Sequence, residues 1–453
     1  MALDTSHWHV QESADDIHRR TRPDVCVYYD NPDTQKLVIP PEDFLELKMR
    51  SMTDEEKQLR KDHVGRRSYP DLLAFVEIKV EHEKSAFEFN SPDDCVSRAD
   101  TALGKLAMGQ FEEYLAATWA HQHRTHLFSL YAFQGWARIV RADRGGFVIS
   151  EPFKYGTENH PTLHRFFWRL ARMTREQLGL DPSASRAEKA VVDKMRAFAE
   201  SGKASPNVRE LVYRALSYNP RTKKTTSPNW PLHSLNVGGT TYVVGRPMFA
   251  SPAVFGRCTR TYIAYQPDAD EVRVLKDSWR PDHEAIHPEH KVYERLRDKQ
   301  VPNILTCLQG GDVPGLSESV QRTRHHDSGG TERLARIHYR IVFQEVCKPL
   351  TEFVSFKELS KLMADAIRGA STVRSGTLPS RLTNCLNSTP RRLVRRWSHA
   401  SRRQPQQHPH LRASREWEGG ARRAVMRLGS VQVPGADGIS DKQTTTVPLG
   451  TYS

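Results

Sequence analysis

The sequence predicts an α+β chain: two sheet-bearing regions joined by a polar stretch and followed by a basic segment. Three observations carry this. Short β-branched or alternating apolar runs recur through residues 24–149 and 240–346, interrupted by runs with helical periodicity. Residues 181–235 are polar, with one helical stretch near Val208–Leu216. From residue 371 the composition turns to Arg, Ser, Pro and Gln without amphipathic period, a mixture that buries too little apolar surface to fold. The expected organisation is 1–20 disordered, 21–180 an α/β domain, 181–235 helical and linker, 236–370 a β-sheet plus one helix, and 371–453 a disordered Arg-rich tail.

Taken in order, Asp24–Tyr29 reads as a short strand, and a helical stretch lies near Asp43–Arg50. Leu72–Val80 is a second strand, apolar and then alternating. Leu103, Leu106, Ala107, Phe111, Tyr114 and Leu115 recur at helical spacing over residues 102–120. Strands at 127–133, 137–142 and 147–149 are separated by Gln134-Gly135 and Asp143-Arg144-Gly145-Gly146 turns. A helix from Pro161 to about Leu178 puts Phe166, Phe167, Trp168, Leu170 and Met173 on its core side. Arg221–Pro228 is an exposed connection. Strands are expected at Thr240–Val244 and at Val272–Leu275, the latter delivering Lys276 at its end. A helix at Glu284–Lys299, a Pro302-Asn303-Ile304 turn, a strand at Ile337–Val346 and a helix at Phe356–Ile367 complete the pattern.

The formal net charge is +13, and residues 371–453, with 14 Lys+Arg and 4 Asp+Glu, hold +10 of it. The basic balance therefore belongs to the tail and does not imply a basic cleft in the body. The six cysteines have no paired spacing, which argues against zinc sites or a disulfide framework and for a reducing compartment, cytoplasmic or nuclear. No apolar run approaches the ~20 residues a membrane span needs, and Met1–Ser6 lacks a basic-then-apolar leader. In the tail, Arg391–Trp397 mixes arginine and tryptophan in the way nucleic-acid contacts use, with an acidic partner or a simple solvated tail as the alternatives.

A lysine on a strand, a glutamate on the following helix and a strand leading into a hinge can hold a polyphosphate: the ammonium sits over the phosphates and the carboxylate steadies it. Lys276 fills the first role. Glu289 fills the second, seven residues before Leu296 and in competition with Glu294. Phe343, Glu345 and Val346 form the hinge. Gly256 opens Gly256-Arg257-Cys258-Thr259-Arg260-Thr261, which has the spacing of a phosphate loop with Cys258 and Thr261 in place of two glycines. The runs Val274–Arg280, Glu289–Tyr293, His338–Arg340 through Glu345, and Pro349–Phe353 resemble the fungal-type protein kinase family. So do Gln122–Thr125, Ala137–Arg144 and Glu151–Phe153, so that the similarity covers roughly residues 20–370. The resemblance implies ATP-dependent phosphotransfer to protein Ser/Thr, with Mg²⁺ as a possible companion ion. Lys276 would lie on the phosphates, Glu289 would anchor it, and the hinge near Glu345 would hold adenine. After Ala370, however, there is no H-R-D, no following Asn and no D-x-G. The expectation is a truncated or mis-spliced member lacking the catalytic Asp, inactive or a weak nucleotide binder, its protein substrate or regulatory partner unspecified.

A second chemistry is legible near the start. Asp24 begins one strand, Glu77-Ile78-Lys79 sits in another, and Gln110 and Tyr114 lie on the next helix. This resembles the PD-(D/E)xK nuclease-like core, in which two acidic groups hold Mg²⁺ and the lysine stabilises the attacking water. The alternatives are an active nuclease or a degenerate fold serving as a binding or regulatory module. His121, His123, His325, His326 and His338 have no ligand spacing and read as structural, and Trp168 and Trp279 as core aromatics.

Overall fold

The computed structural model describes residues 1–6, 22–41, 49–50, 52–61, 63–89, 101–157, 159–226, 230–315, 319–324, 327–328, 331–332, 335–348 and 350–375. Residues 43–48 of the expected helix at 43–50, His325, His326, the first twenty residues beyond Ser6 and the basic segment from 376 lie outside them. The described chain divides into two units. One is Met1–Asp282 with Cys307–Val346, and the other is His283–Thr306 with the segment from Cys347 on.

The first unit is built on two sheets. Sheet one runs in the order β1 (Ala2–Asp4), β2 (Val25–Tyr28), β3 (Leu72–Lys79), β4 (His126–Phe133), β5 (Trp136–Asp143), β6 (Phe147–Ile149), with β7 (Phe153–Lys154) also on β5. Two short helices, α1 (Pro32–Val38) and α2 (Asp54–Lys61), lie between β2 and β3 in the chain. All pairs are antiparallel except β3 with β4, and the crossover between those two is α3 (Ala102–His121). A parallel central pair needs cover on both faces, which explains the uninterrupted Leu72–Val76 run. Phe75 lies under Phe111 and Tyr114 of α3. Leu73 and Ala74 pack with Phe166, Phe167 and Leu170 of α4 (Thr162–Leu170) on the other side. Thr101 caps α3 by accepting the Gly104 N–H.

Sheet two is antiparallel throughout, in the order β16 (Cys307–Asp312), β19 (Arg336–Phe343), β15 (Glu271–Pro281), β14 (Arg260–Gln266), β12 (Thr240–Val244), β11 (His233–Val237), β8 (Ala184–Arg186), with β13 (Phe249–Ala250) on β14. Helices α5 (Lys189–Glu200) and α6 (Pro206–Ala215) bury Met195, Ala199 and Val212 against Val243, Ile263 and Val272. Small hairpins are made by β9 (Tyr218–Asn219) with β10 (Lys224–Thr225), and by β17 (Asp327–Ser328) with β18 (Thr331–Glu332). The second unit contains α7 (Glu289–Asp298) and α8 (Phe356–Ser375). Among the described residues no helix is long and apolar enough to cross a membrane, and no disulfide joins the four described cysteines.

Several expectations need correction. The helix expected over 161–178 stops at Leu170, with a turn of hydrogen bonds carrying the chain to Gly179. Trp168 is not a core residue: it is 58% exposed, while Leu170 two positions on is buried. The helix expected from Glu284 begins at Glu289, and α8 runs past Ile367 to Ser375. The strand expected to reach Val346 ends at Phe343, leaving Glu345 and Val346 beyond it. Lys276 does not end its strand, because β15 continues to Pro281. The run Asp277-Ser278-Trp279-Arg280 looks like a loop in sequence, yet its polar groups find partners inside the protein.

Candidate functional sites

Lys276 is half-buried at the centre of β15, opposite Thr261 of β14 and Ile341 of β19. Phe343 lies opposite Val274, two residues away, so its ring is a diagonal neighbour of Lys276 on the same face of the sheet. Val346 packs against the α5–α6 cluster. Glu289 is the first residue of α7, where unpaired N–H groups favour a carboxylate; it belongs to the second unit. Gly256 adopts φ +97 and donates its N–H to Arg144 O at 2.8 Å. Its neighbours Val254 and Phe255 pack into the core of sheet one, Phe255 against Phe147 at 4.9 Å. Cys258 holds φ +42, a left-handed conformation costing a non-glycine residue about 1 kcal/mol, and Thr261 is already in β14.

The other set is drawn together in one place. Lys79 Nζ donates to Glu77 Oε1 at 2.5 Å and to Gln110 Oε1 at 3.0 Å. Gln110 Nε2 donates to the Tyr114 hydroxyl at 2.6 Å, and that hydroxyl donates to Arg22 O at 2.9 Å. Asp24 sits one strand over, its Oδ2 accepting the Ile78 N–H at 2.7 Å. Topology explains the meeting: alternation along β3 turns Glu77 and Lys79 to the face that α3 covers. Glu77 is 2% exposed and its Oε2 has no hydrogen-bond partner. Burial, reinforced by the charge of Asp24 and opposed by Lys79, pushes its carboxyl up to about 7. Among the described residues no group of three or more His, Cys, Asp or Glu could hold a metal ion.

One constellation was invisible in the sequence. Asp277, 1% exposed, meets His338 Nε2 at 3.0 Å, Arg340 Nε at 3.1 Å, Arg260 Nη2 at 3.5 Å and His123 Nδ1 at 3.7 Å. Asp181 accepts from Arg340 Nη2 at 2.5 Å, from Gln321 Nε2 at 2.6 Å and from Ser183 Oγ at 2.6 Å. Arg260 Nη1 donates to the carbonyls of Trp119 and Gln122 at the end of α3. Trp279 stacks on His338, ring centroids 4.7 Å apart. Burial acts upward on both carboxyls but is outweighed by the facing groups, His338 and Arg260 for Asp277 and Arg340 and His338 for Asp181, so both lie well below the usual range. Burial and Arg260 push His123 down to about 4. His123 and His338 are buried against Asp277, and no spacing rule could have signalled that acidic partner.

No curated protein and no solved structure matches this chain. A family model for the fungal protein kinase matches residues 79–326, a span that includes Lys79, Gln110, Gly256, Lys276 and Glu289 and covers more than half of the sequence. The chain belongs to the fungal protein kinase family.

Proposed function

We propose that this chain holds a nucleotide through Lys276 without itself carrying out phosphotransfer. The observation that carries the reading is the place of Lys276, on an interior strand of an antiparallel sheet, a strand whose next element in the chain is a helix begun by Glu289. Kinases set the phosphate-binding lysine and its glutamate on that succession of elements. Family membership supports ATP as the nucleotide. Residues 371–453 carry neither the Asp that orients the acceptor hydroxyl nor the Asn and D-x-G Asp that hold Mg²⁺, so the residues present do not fit the metal-dependent step. The test is thermal denaturation of the full chain with ATP, for wild type and Lys276→Met. ATP at a hundred times its Kd stabilises by about 2.7 kcal/mol. That stabilisation is expected in wild type and absent in the variant. No shift at millimolar ATP, or an equal shift in both proteins, refutes the reading.

The Glu77–Lys79–Gln110 cluster favours a second reading for the N-terminal sheet, a nuclease-like fold that binds rather than cleaves. The Lys79 ammonium already occupies one oxygen of Glu77, and the Ile78 N–H occupies one oxygen of Asp24, so both acidic groups are engaged within the protein. Full-length protein with Mg²⁺ or Mn²⁺ and labelled DNA or RNA is expected to leave the strands intact. Cleavage abolished by Glu77→Ala would overturn this.

A further inference from the structure

The exposed Trp168 stands at the rim of a cleft of about 460 Å³ on the α4 side of sheet one. Arg141, Arg169, Arg172 and Arg324 line it, over an apolar floor of Phe128 and Met173. The Arg172 guanidinium lies 4.2 Å from the Trp168 ring centroid. Asp143 pairs with Arg141 at 2.8 Å and accepts the Arg324 backbone N–H at 3.1 Å. His126, on the cleft wall, is pushed down to about 3 by burial and by Arg141 and so adds no charge near neutral pH. The positive surface also runs past the cleft. From Pro161 to Leu180 the chain carries exposed Arg165, Arg169, Arg172 and Arg175 against a single carboxylate, Glu176.

A cleft of this volume is the size of a small-ligand site. Guanidinium groups match phosphate oxygens in a bidentate fork, and an exposed indole beside them offers a face on which a base stacks. The shared chemistry is that of a nucleoside phosphate. Arginines extending beyond the cleft in both chain directions favour a polymer over a free nucleotide. We propose that the Arg141–Trp168–Arg172 cleft binds single-stranded nucleic acid, with one base on Trp168 and its flanking phosphates on Arg169, Arg172 and Arg324. The site is separate from Lys276 and from the Glu77 cluster, and neither reading of those residues is needed for it.

Fluorescence anisotropy of a labelled ten-nucleotide oligo-dT or oligo-rU with the full-length protein tests this. The Arg-rich segment from 376 is present in every variant, so the differences between variants are read. Trp168→Ala, an exposed change compatible with folding, is expected to weaken binding about tenfold, the effect of removing one stacked base. Arg169→Glu/Arg172→Glu is expected to weaken it more and to flatten the salt dependence by about 1.4 in slope, at ~0.7 for each phosphate no longer neutralised. AMP competing as well as the oligonucleotide, per nucleotide, retains the nucleoside-phosphate site but overturns the polymer. Weakening of less than twofold in both cleft variants overturns the proposal. So does a phosphopeptide of equal charge that binds with the same dependence on Trp168.

Discussion

Replacing Asp277 by Asn tests the physical core of this fold. The carboxylate is almost wholly buried, faces Arg260 and Arg340, and shares Arg340 with Asp181. Two arginines thus meet two aspartates in a region closed to water. Asparagine keeps the size of the side chain, so no cavity opens, but it leaves two buried guanidiniums with one counter-charge. Breaking a buried pair by removing one partner costs about 3–5 kcal/mol. That is a large share of the ~5–15 kcal/mol by which domains are stable. Urea unfolding of wild type and Asp277→Asn at pH 7 measures it. Because the groups are buried, raising the salt concentration should change the difference little. Asp277→Asn combined with Arg260→Met removes the excess cation as well, and the pair should be less destabilising than the sum of the two single changes. A loss below about 1 kcal/mol for Asp277→Asn would refute the reasoning, since it would mean that water or a relaxed backbone neutralises the arginines.

Three further outcomes are expected. His123 has its folded-state value depressed from 6.5 to about 4, so the unfolded chain binds its proton first; stability is lost as pH falls from 6.5 towards 4, by up to about 3 kcal/mol at 1.36 kcal/mol per pH unit, and His123→Gln should flatten that part of the urea-midpoint profile. Glu77 goes the other way: its value is raised from 4.5 to about 7, so its contribution is present at low pH and lost as pH rises through 7. Glu77→Gln should therefore gain up to about 3 kcal/mol over wild type at pH 8.5 and nothing at pH 4, and equal denaturation profiles would count against the buried, half-partnered carboxyl. Gly179→Ala should cost more than about 2 kcal/mol in the same assay, because φ is +91 and the added Cβ would lie 2.1 Å from His126 O, a backbone atom that cannot turn aside.

Much of sheet one was legible because its strands are β-branched or alternating and α3 has strong helical spacing. The meeting of Glu77, Lys79 and Gln110 was legible too, since a strand followed directly by a covering helix leaves few faces to choose from. Trp168 does not share the core side of its helix with Phe166, Phe167 and Leu170. Helical geometry carried the correct signal: Leu163, Phe166, Phe167 and Leu170 share one face, whereas Trp168 falls among Arg165, Arg169 and Arg172. The continuation of β15 past Lys276 was not legible. Besides Arg260 on the neighbouring strand, Asp277 is compensated by His338 and Arg340, 61 and 63 positions on, and by the still more distant His123, and no local pattern encodes such partners.

That long-range cluster changes what the stretch around residue 181 is for. Asp181 and Ser183 stand at the entry to β8, and through them Arg340 of β19 is held at the end of the polar connection. On the far side Arg260 of β14 takes up the carbonyls of Trp119 and Gln122, the C-terminal groups a helix cannot satisfy by itself. The same strand that presents Lys276 on one face presents Asp277 on the other. Movement of that strand would therefore draw the Asp277 carboxylate away from Arg260 and Arg340 and leave two buried arginines short of a counter-charge. Alternation along a single strand places the proposed nucleotide contact on a support whose displacement costs several kcal/mol, which is the rigidity a lysine over phosphates needs.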